Sequence, residues 1–438
     1  MNFLKTLVFV FLFHSLLIGH AVAQEPVTSW RRDPVFQRLK VALDKVPAID
    51  VHTHLFQPGE FDPSLANEGP LLLRSTNPSL PQVIRETFGI TPKPGNWQST
   101  IEEINAARKR MMDQLGQQNY WQKHFDSTLT EIALVNDNNR ELIDGKRTRW
   151  VPHASTLLFP LPADQLIERS PSHKRDITEA QKDLLGFLKE AQLQQAPPDL
   201  PAYLRFVDET LRRWQKQGAV GIKFWDAYVR TLRIADVQES YAVSLYASGR
   251  TTPLKRDEYL AVQDYLWRHI MLEAGQINLP VHIHSSLGVP PFLRTLESDV
   301  RNLEDVLADP KFFGTQVILI HGGGPWHDIA IYLAFKPNVW VDISSMAFLH
   351  PLPEFVGILR RFFVFAPEKV LFGTDASNYP SVPGGAEVHH ALLSRVTREA
   401  LYLALAGLVR DGLINEQQAL AMGRGVLRDN ARRLHGWK

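Results

Sequence analysis

The sequence predicts an α/β fold: a (β/α)8 (TIM) barrel with a long helical and loop insertion after strand one. Eight apolar, β-branched-rich segments alternate with helix-like stretches, as parallel βαβ units require, and eight is the strand number of such a barrel. Four of them end in a histidine or an aspartate: AIDVHTH (Ala48–His54), LPVHIH (Leu279–His284), VILIH (Val317–His321) and VLFGTD (Val370–Asp375). A barrel of parallel strands brings those ends to one mouth, and three imidazole sources with a carboxylate have the composition of a hydrolytic metal site.

Along the chain, residues 1–23 read as a signal peptide. Lys5 is the charged start, Thr6–Gly19 the apolar run and Ala21-Val22-Ala23 the small-x-small cleavage site. The run is short for a membrane span. The mature chain, 24–438, is then expected to be exported, periplasmic or secreted, and to form one barrel domain. Strand one is Ala48–His54 and strand two Glu131–Val135. Between them, residues 56–130 contain two Pro/Gly-rich stretches (Phe61–Pro70 and Ile90–Asn96) and a helix, Thr100–Leu115. This segment reads as a cap insertion over the mouth. Strand three is Arg149–His153. Helices at Gln181–Leu193 and Leu200–Gln217 precede strand four, Ala219–Phe224. A helix at Asp257–Ala274 precedes strand five, Leu279–His284. Strands six to eight (Gln316–His321, Asn338–Ile343 and Lys369–Thr374) follow at ordinary strand-plus-helix intervals. Glu416–Leu434 reads as helical packing on the barrel.

At 438 residues and 44% apolar, the chain can bury a large core. The formal net charge is +1 and the leader contributes only Lys5, so the mature chain carries +1 − 1 = 0. No basic run interleaves with aromatics, so no nucleic-acid partner is expected. No later stretch is apolar enough to cross a bilayer, so no membrane partner is expected after leader cleavage. The expected partner is a small-molecule substrate, with a homo-oligomer left open. Cysteine is absent, which removes disulfides and thiolate ligands and leaves nitrogen and oxygen to hold any metal.

His52 and His54 are two residues apart, and on a strand i and i+2 share a face. At a strand's C-terminal end they can chelate one ion. His282 and His284 repeat the pattern; His284 lies nearer the mouth and is the preferred ligand, with His282 as a deeper, hydrogen-bonded core histidine. Asp375 can ligate weakly and also take a proton from a metal-activated water. His321, followed by three glycines, is a ligand for a second metal or an acid/base partner of that water.

Lys223 lies in the apolar stretch GAVGIKF (Gly218–Phe224), an unusual place for a lysine. It is open to three readings: a partner for an anionic substrate group, a carboxylated lysine bridging two metals, or a snorkelling rim residue. Tyr228 and Arg230 follow it and suit a substrate carboxylate. His153 ends strand three and reaches toward the pocket. Asp342 is equally a buried hydrogen-bonding group or a substrate contact. His389 and His390, on a helix-like stretch, read as surface residues.

Taken as an ordered set, IDVHTH, GIKFWDAYVR, LPVHIH, IHGGGP, NVWVDIS, PEKVLFGTD and LRDNARRLHG resemble the amidohydrolase superfamily over about Pro47 to Gly436. More narrowly the chain resembles the amidohydrolase-2-like branch of metal-dependent hydrolases and non-oxidative decarboxylases. Lys223–Arg230 is similar to the amidohydrolase domains fused to glutamine-synthetase-like domains. The resemblance implies the barrel and a metal held by His52, His54, His284 and Asp375. It implies His321 and Lys223 as ligands where a second metal is present. The expected cofactor is a divalent metal, zinc first, at one or two ions per chain. The expected activity is hydrolysis of a small carboxylate-bearing amide, ester or lactone. Asp375 would act as the proton carrier, and His321 would help stabilise the oxyanion. A decarboxylase on the same site, or a non-enzymatic binding protein on a relic barrel, are the alternatives.

Overall fold

The computed structural model describes residues 27–56, 60–65, 67–93, 96–169, 173–285, 288 and 293–438. The expected signal peptide, 1–23, lies outside the described residues. No helix among the described residues is long and apolar enough to cross a membrane.

The strands are β1 (Ala48–His54), β2 (Thr130–Asn136), β3 (Thr148–Val151), β4 (Ile222–Phe224), β5 (Val281–Ile283), β6 (Val317–Leu319), β7 (Val339–Asp342), β8 (Val370–Leu371) and a short β9 (Ala376–Ser377). All pairings are parallel, in two runs ordered β3-β2-β1-β9 and β4-β5-β6-β7-β8. Backbone hydrogen bonds join the runs at both seams. Val51 N donates to Phe372 O, while Val220 N donates to Trp150 O and Lys223 N to Pro152 O. The eight expected strands thus form a ring. β1 keeps its expected bounds, β2 gains a residue at each end, β3 begins one residue earlier and ends two earlier, β4 loses its first three residues, and β5 to β8 are shortened at both ends.

Apolar side chains alternate between two layers. Ile49, Val51, Ile132, Leu134, Val151, Ile318, Trp340 and Leu371 meet in one central cluster, with Ala431 and Leu434 of the C-terminal helix packed against it. Val281, Ile283, Val317, Leu319, Val339 and Val341 instead pack in the larger core together with residues of the surrounding helices. Strands covered on both sides need this near-continuous apolar composition. The helices over Lys174–Glu190, Leu200–Lys216 and Arg256–Gln276 match the expected ones, apart from the first, which begins earlier. Glu416–Leu434 is broken into Glu416–Arg424, a π-turn at Gly425–Asp429, and Asn430–His435.

The insertion contains helices at Leu80–Phe88, Trp97–Leu115 and Gln117–Ser127. Arg108 and Tyr120 from it both bind the buried Glu387 carboxylate, at 2.8 Å and 2.5 Å, and so pin it to the long helix Gly385–Arg410. That helix is buried along much of its length. His389 and His390 are 1% and 0% exposed, which corrects their reading as surface residues. His390 packs against His124 and Phe125 of the insertion and His389 against Phe348 and Tyr379, neighbours that helical period does not reveal.

Candidate metal centre

The strand ends meet as the alternation requires, with one local adjustment. Against β2, Asp50 pairs with Ala133 and Thr53 with Val135, so β1 carries an extra residue between them. Such a bulge re-aims side chains. Val51 keeps its place in the central cluster while His52 and His54 both face Asp375. His52 Nε2 is 3.2 Å and His54 Nε2 3.7 Å from Asp375 Oδ1, and His321 Nε2 is 3.9 Å from Asp375 Oδ2. One ligand atom from each of His52, His54 and Asp375 lies within 4.8 Å of the others, and His284 is not in that group. The His284 ring stands 4.9 Å from the His321 ring and 4.5 Å from the Tyr228 ring.

The donor set fits a divalent cation. It holds nitrogen and oxygen donors only; the buried His284 Nε2 has no hydrogen-bond partner among the described residues, and His52 turns Nε2 to Asp375 and Nδ1 toward Asp342 Oδ2 at 3.8 Å. Burial lowers the pKa of His52, His54 and His284, so the imidazoles are neutral and ready to ligate at neutral pH. Asp375 remains ionised: burial opposes this, but His321, His52 and His54 more than offset it and hold its pKa well below the ordinary value. Ser345 adds a hydroxyl donor to Asp375 Oδ2 at 2.6 Å.

His321 is oriented by a chain of donors. Ser344 Oγ donates to Asp342 Oδ1 at 2.6 Å, so it must accept from His321 Nδ1 at 2.9 Å. This assigns the proton to Nδ1 and leaves the lone pair on Nε2, facing Asp375. Burial sets the His321 pKa to about 4. A neutral ring with this tautomer accepts at the site and does not donate there, which corrects the expected oxyanion role. The loop behind it needs glycine: Gly323 has φ +65°, and a Cβ there would lie 2.4 Å from the Ala330 Cβ.

Lys223 is 2% exposed, and its Nζ sits 3.5 Å from His52 Nε2. Burial lowers its pKa to about 7, with Asp375 and Asp342 opposing the shift. Asp342 is fully buried and accepts from His321 N, Ser344 N and Ser344 Oγ, so of its two readings the hydrogen-bonding one holds. His282 is buried, but neither ring nitrogen has a hydrogen-bond partner among the described residues, contrary to expectation.

Arg230 does not join the site. It is 0% exposed and ion-paired with Asp264, with a second bond to Thr231 O. Sequence proximity to Lys223 suggested a shared pocket, but the turn at Asp226–Tyr228 sends the guanidinium toward the helix Arg256–Gln276.

A cavity of about 590 Å³ adjoins the centre, and His153, Trp225, Tyr228 and Tyr379 are among its walls. The His153 ring is 6.4 Å from that of His54, and its Nε2 is 3.2 Å from Asn136 O. Leu65, Glu68 and Gly69 bring part of the insertion to this cavity.

Sequence reasoning missed Asp50, Ser344 and Ser345. Asp50 accepts from His52 N at 3.2 Å, Thr374 N at 3.0 Å and Thr374 Oγ at 2.6 Å, bracing the two strand ends that carry ligands. Its place two residues before His52 was the available signal. The two serines directly follow the strand-seven run.

The family described as amidohydrolase matches residues 177–437. No curated protein matches the chain. Among solved structures, a provisionally named metal-dependent hydrolase of Lactobacillus casei ATCC 334 superposes with TM-score 0.60 at 18% identity, covering 91% of this chain and 97% of its own. Uronate isomerase of Thermotoga maritima gives 0.56 at 14% identity over 91% and 97%. Glucuronate isomerase of Caulobacter crescentus gives 0.55 at 14% identity over 94% and 95%. At these identities the likeness is one of fold.

Proposed function

The chain belongs to the amidohydrolase family, and on that premise we propose that it is an exported hydrolase that uses zinc at His52, His54, His284 and Asp375 to cleave a small amide, ester or lactone. That it is a metal-dependent enzyme of this superfamily follows from the family match and the donor cluster. The observation that carries the hydrolytic reading is Asp375. It is an ionised carboxylate among neutral imidazoles, fixed by Ser345 and adjoining a cavity of substrate size.

A bound divalent ion supplies Lewis acidity and a water whose pKa falls toward about 7. The residues do the rest. Asp375 accepts the proton of the attacking water at the oxygen not held by Ser345, and returns it to the leaving group. His321 stays neutral, with Nε2 as an acceptor that orients the same water or ligates a second ion. Arg175 stands in the cavity wall, and with Arg230 committed to Asp264 the cationic partner beside the donors for a substrate carboxylate is Lys223. Its lowered pKa also suits carboxylation, in which case Lys223 and His321 would hold the second ion. Tyr228 and His153 form the wall on which the substrate rests.

The test is a panel of carboxylate-bearing amides, esters and lactones offered to zinc-loaded protein, with products read by mass. Addition of water across a substrate bond, lost in Asp375→Asn, supports hydrolysis. Release of CO2 without water addition assigns decarboxylation, and an isomeric product of unchanged mass assigns isomerisation. Zinc-free protein with no turnover after metal supply leaves only a binding role.

A further inference from the structure

We propose that His327 and His350 form a separate site for a divalent transition-metal ion of the zinc or nickel class, bound through their two Nε2 atoms. His327 opens the helix His327–Leu333 beyond β6, and His350 follows the short helix Met346–Leu349 beyond β7. Their Nε2 atoms face each other at 3.1 Å.

The outer nitrogens decide the tautomers. His327 Nδ1 lies 2.8 Å from the carbonyl oxygen of Gly322, which only accepts, so Nδ1 carries the proton. His350 Nδ1 lies 3.1 Å from Glu354 Oε1, a carboxylate, so there too Nδ1 carries the proton. Both neutral rings then point a lone pair at the same space. Two acceptors at 3.1 Å repel unless a cation lies between them.

A metal-ligating histidine characteristically donates its other N–H to a backbone carbonyl or a carboxylate. Here one ring has the carbonyl and the other the carboxylate. Two Zn–N bonds of about 2.0–2.1 Å at a tetrahedral angle set the nitrogens roughly 3.3 Å apart, close to the separation seen. Glu354 and Asp328 add negative charge near His327. His327 is 7% exposed and the His350 side chain 8%, so the pair is shielded yet reaches the surface, where water can complete the coordination. The site shares no ligand with the His52–His54–Asp375 centre. It would tie the loop after β6, through Gly322, to the loop after β7.

The experiment is equilibrium dialysis of the metal-free full chain against zinc, and separately nickel, with ions per chain counted by plasma mass spectrometry. His350→Gln and His327→Gln are expected to bind one ion per chain fewer than the parent and to lose part of the zinc-dependent rise in Tm. Glu354→Gln keeps both rings and changes only an exposed carboxylate, so it should fold normally and bind that ion about 10–100-fold more weakly. If His327→Gln fails to fold, His350→Gln and Glu354→Gln decide the matter. Equal ion counts and equal zinc-dependent Tm in His350→Gln and the parent overturn the site, leaving a proton shared between the rings.

Discussion

The Nδ1–H of His321 donates a hydrogen bond to Ser344 Oγ at 2.9 Å, and the Ser344 hydroxyl in turn donates to Asp342 at 2.6 Å. This relay fixes which nitrogen of His321 faces the reaction. Ser344→Ala breaks it without touching a ligand. Turnover is expected to fall about 10–100-fold, the usual cost of losing such an orienting partner, with circular dichroism unchanged. Turnover equal to the parent's would show that the tautomer is set elsewhere.

Asp375→Asn keeps the shape and removes the charge. Loss of general-base catalysis alone costs about 100-fold or more. Metal content should fall as well, because Asp375 is one of the three clustered donors. A variant with full zinc and full kcat would remove Asp375 from the mechanism.

Arg230 and Asp264 form a buried ion pair. Arg230→Met leaves the Asp264 charge uncompensated, and breaking such a pair typically costs about 3–5 kcal/mol. Chemical denaturation should register that loss, while KM of the folded enzyme stays unchanged. A selective rise in KM for acidic substrates would return Arg230 to substrate binding.

Acid should weaken the fold through the buried His389 and the partly buried His435. Burial lowers His435 to about 3, with Arg149 adding to the shift, and lowers His389 to about 4, with Ser377 and Asp375 opposing. Between the unfolded value, about 6.5, and these folded values, the unfolded chain binds more protons. Stability is therefore full above about pH 6.5 and declines as pH falls toward about 4. Tm measured across that range should drop, and His435→Gln should flatten the slope. An unchanged slope would exclude His435 as a contributor.

Gly323→Ala places a Cβ at φ +65° and 2.4 Å from Ala330. Strain and overpacking together predict a loss of about 2–4 kcal/mol, read as a lower denaturation midpoint. A neutral result would mean that the loop after β6 can shift.

The sequence by itself determined the barrel and the main donors. Apolar strands ending in histidine or aspartate follow from a period of two and from parallel strands sharing one mouth, and both are local properties of the chain. His52, His54 and Asp375 were legible for that reason. Only the tertiary structure decided where side chains beyond the strands point. Arg230 turned to Asp264, His390 was enclosed on its long helix by His124 and Phe125 of the insertion, and Ser344 met His321 across a strand boundary. A hydrogen bond between β6 and β7 loops, or a bulge that moves one residue of β1, depends on distances that no spacing along the chain encodes. The His327–His350 pair is the same case: the residues are 23 apart in sequence, and their facing nitrogens exist only once neighbouring barrel loops are folded side by side.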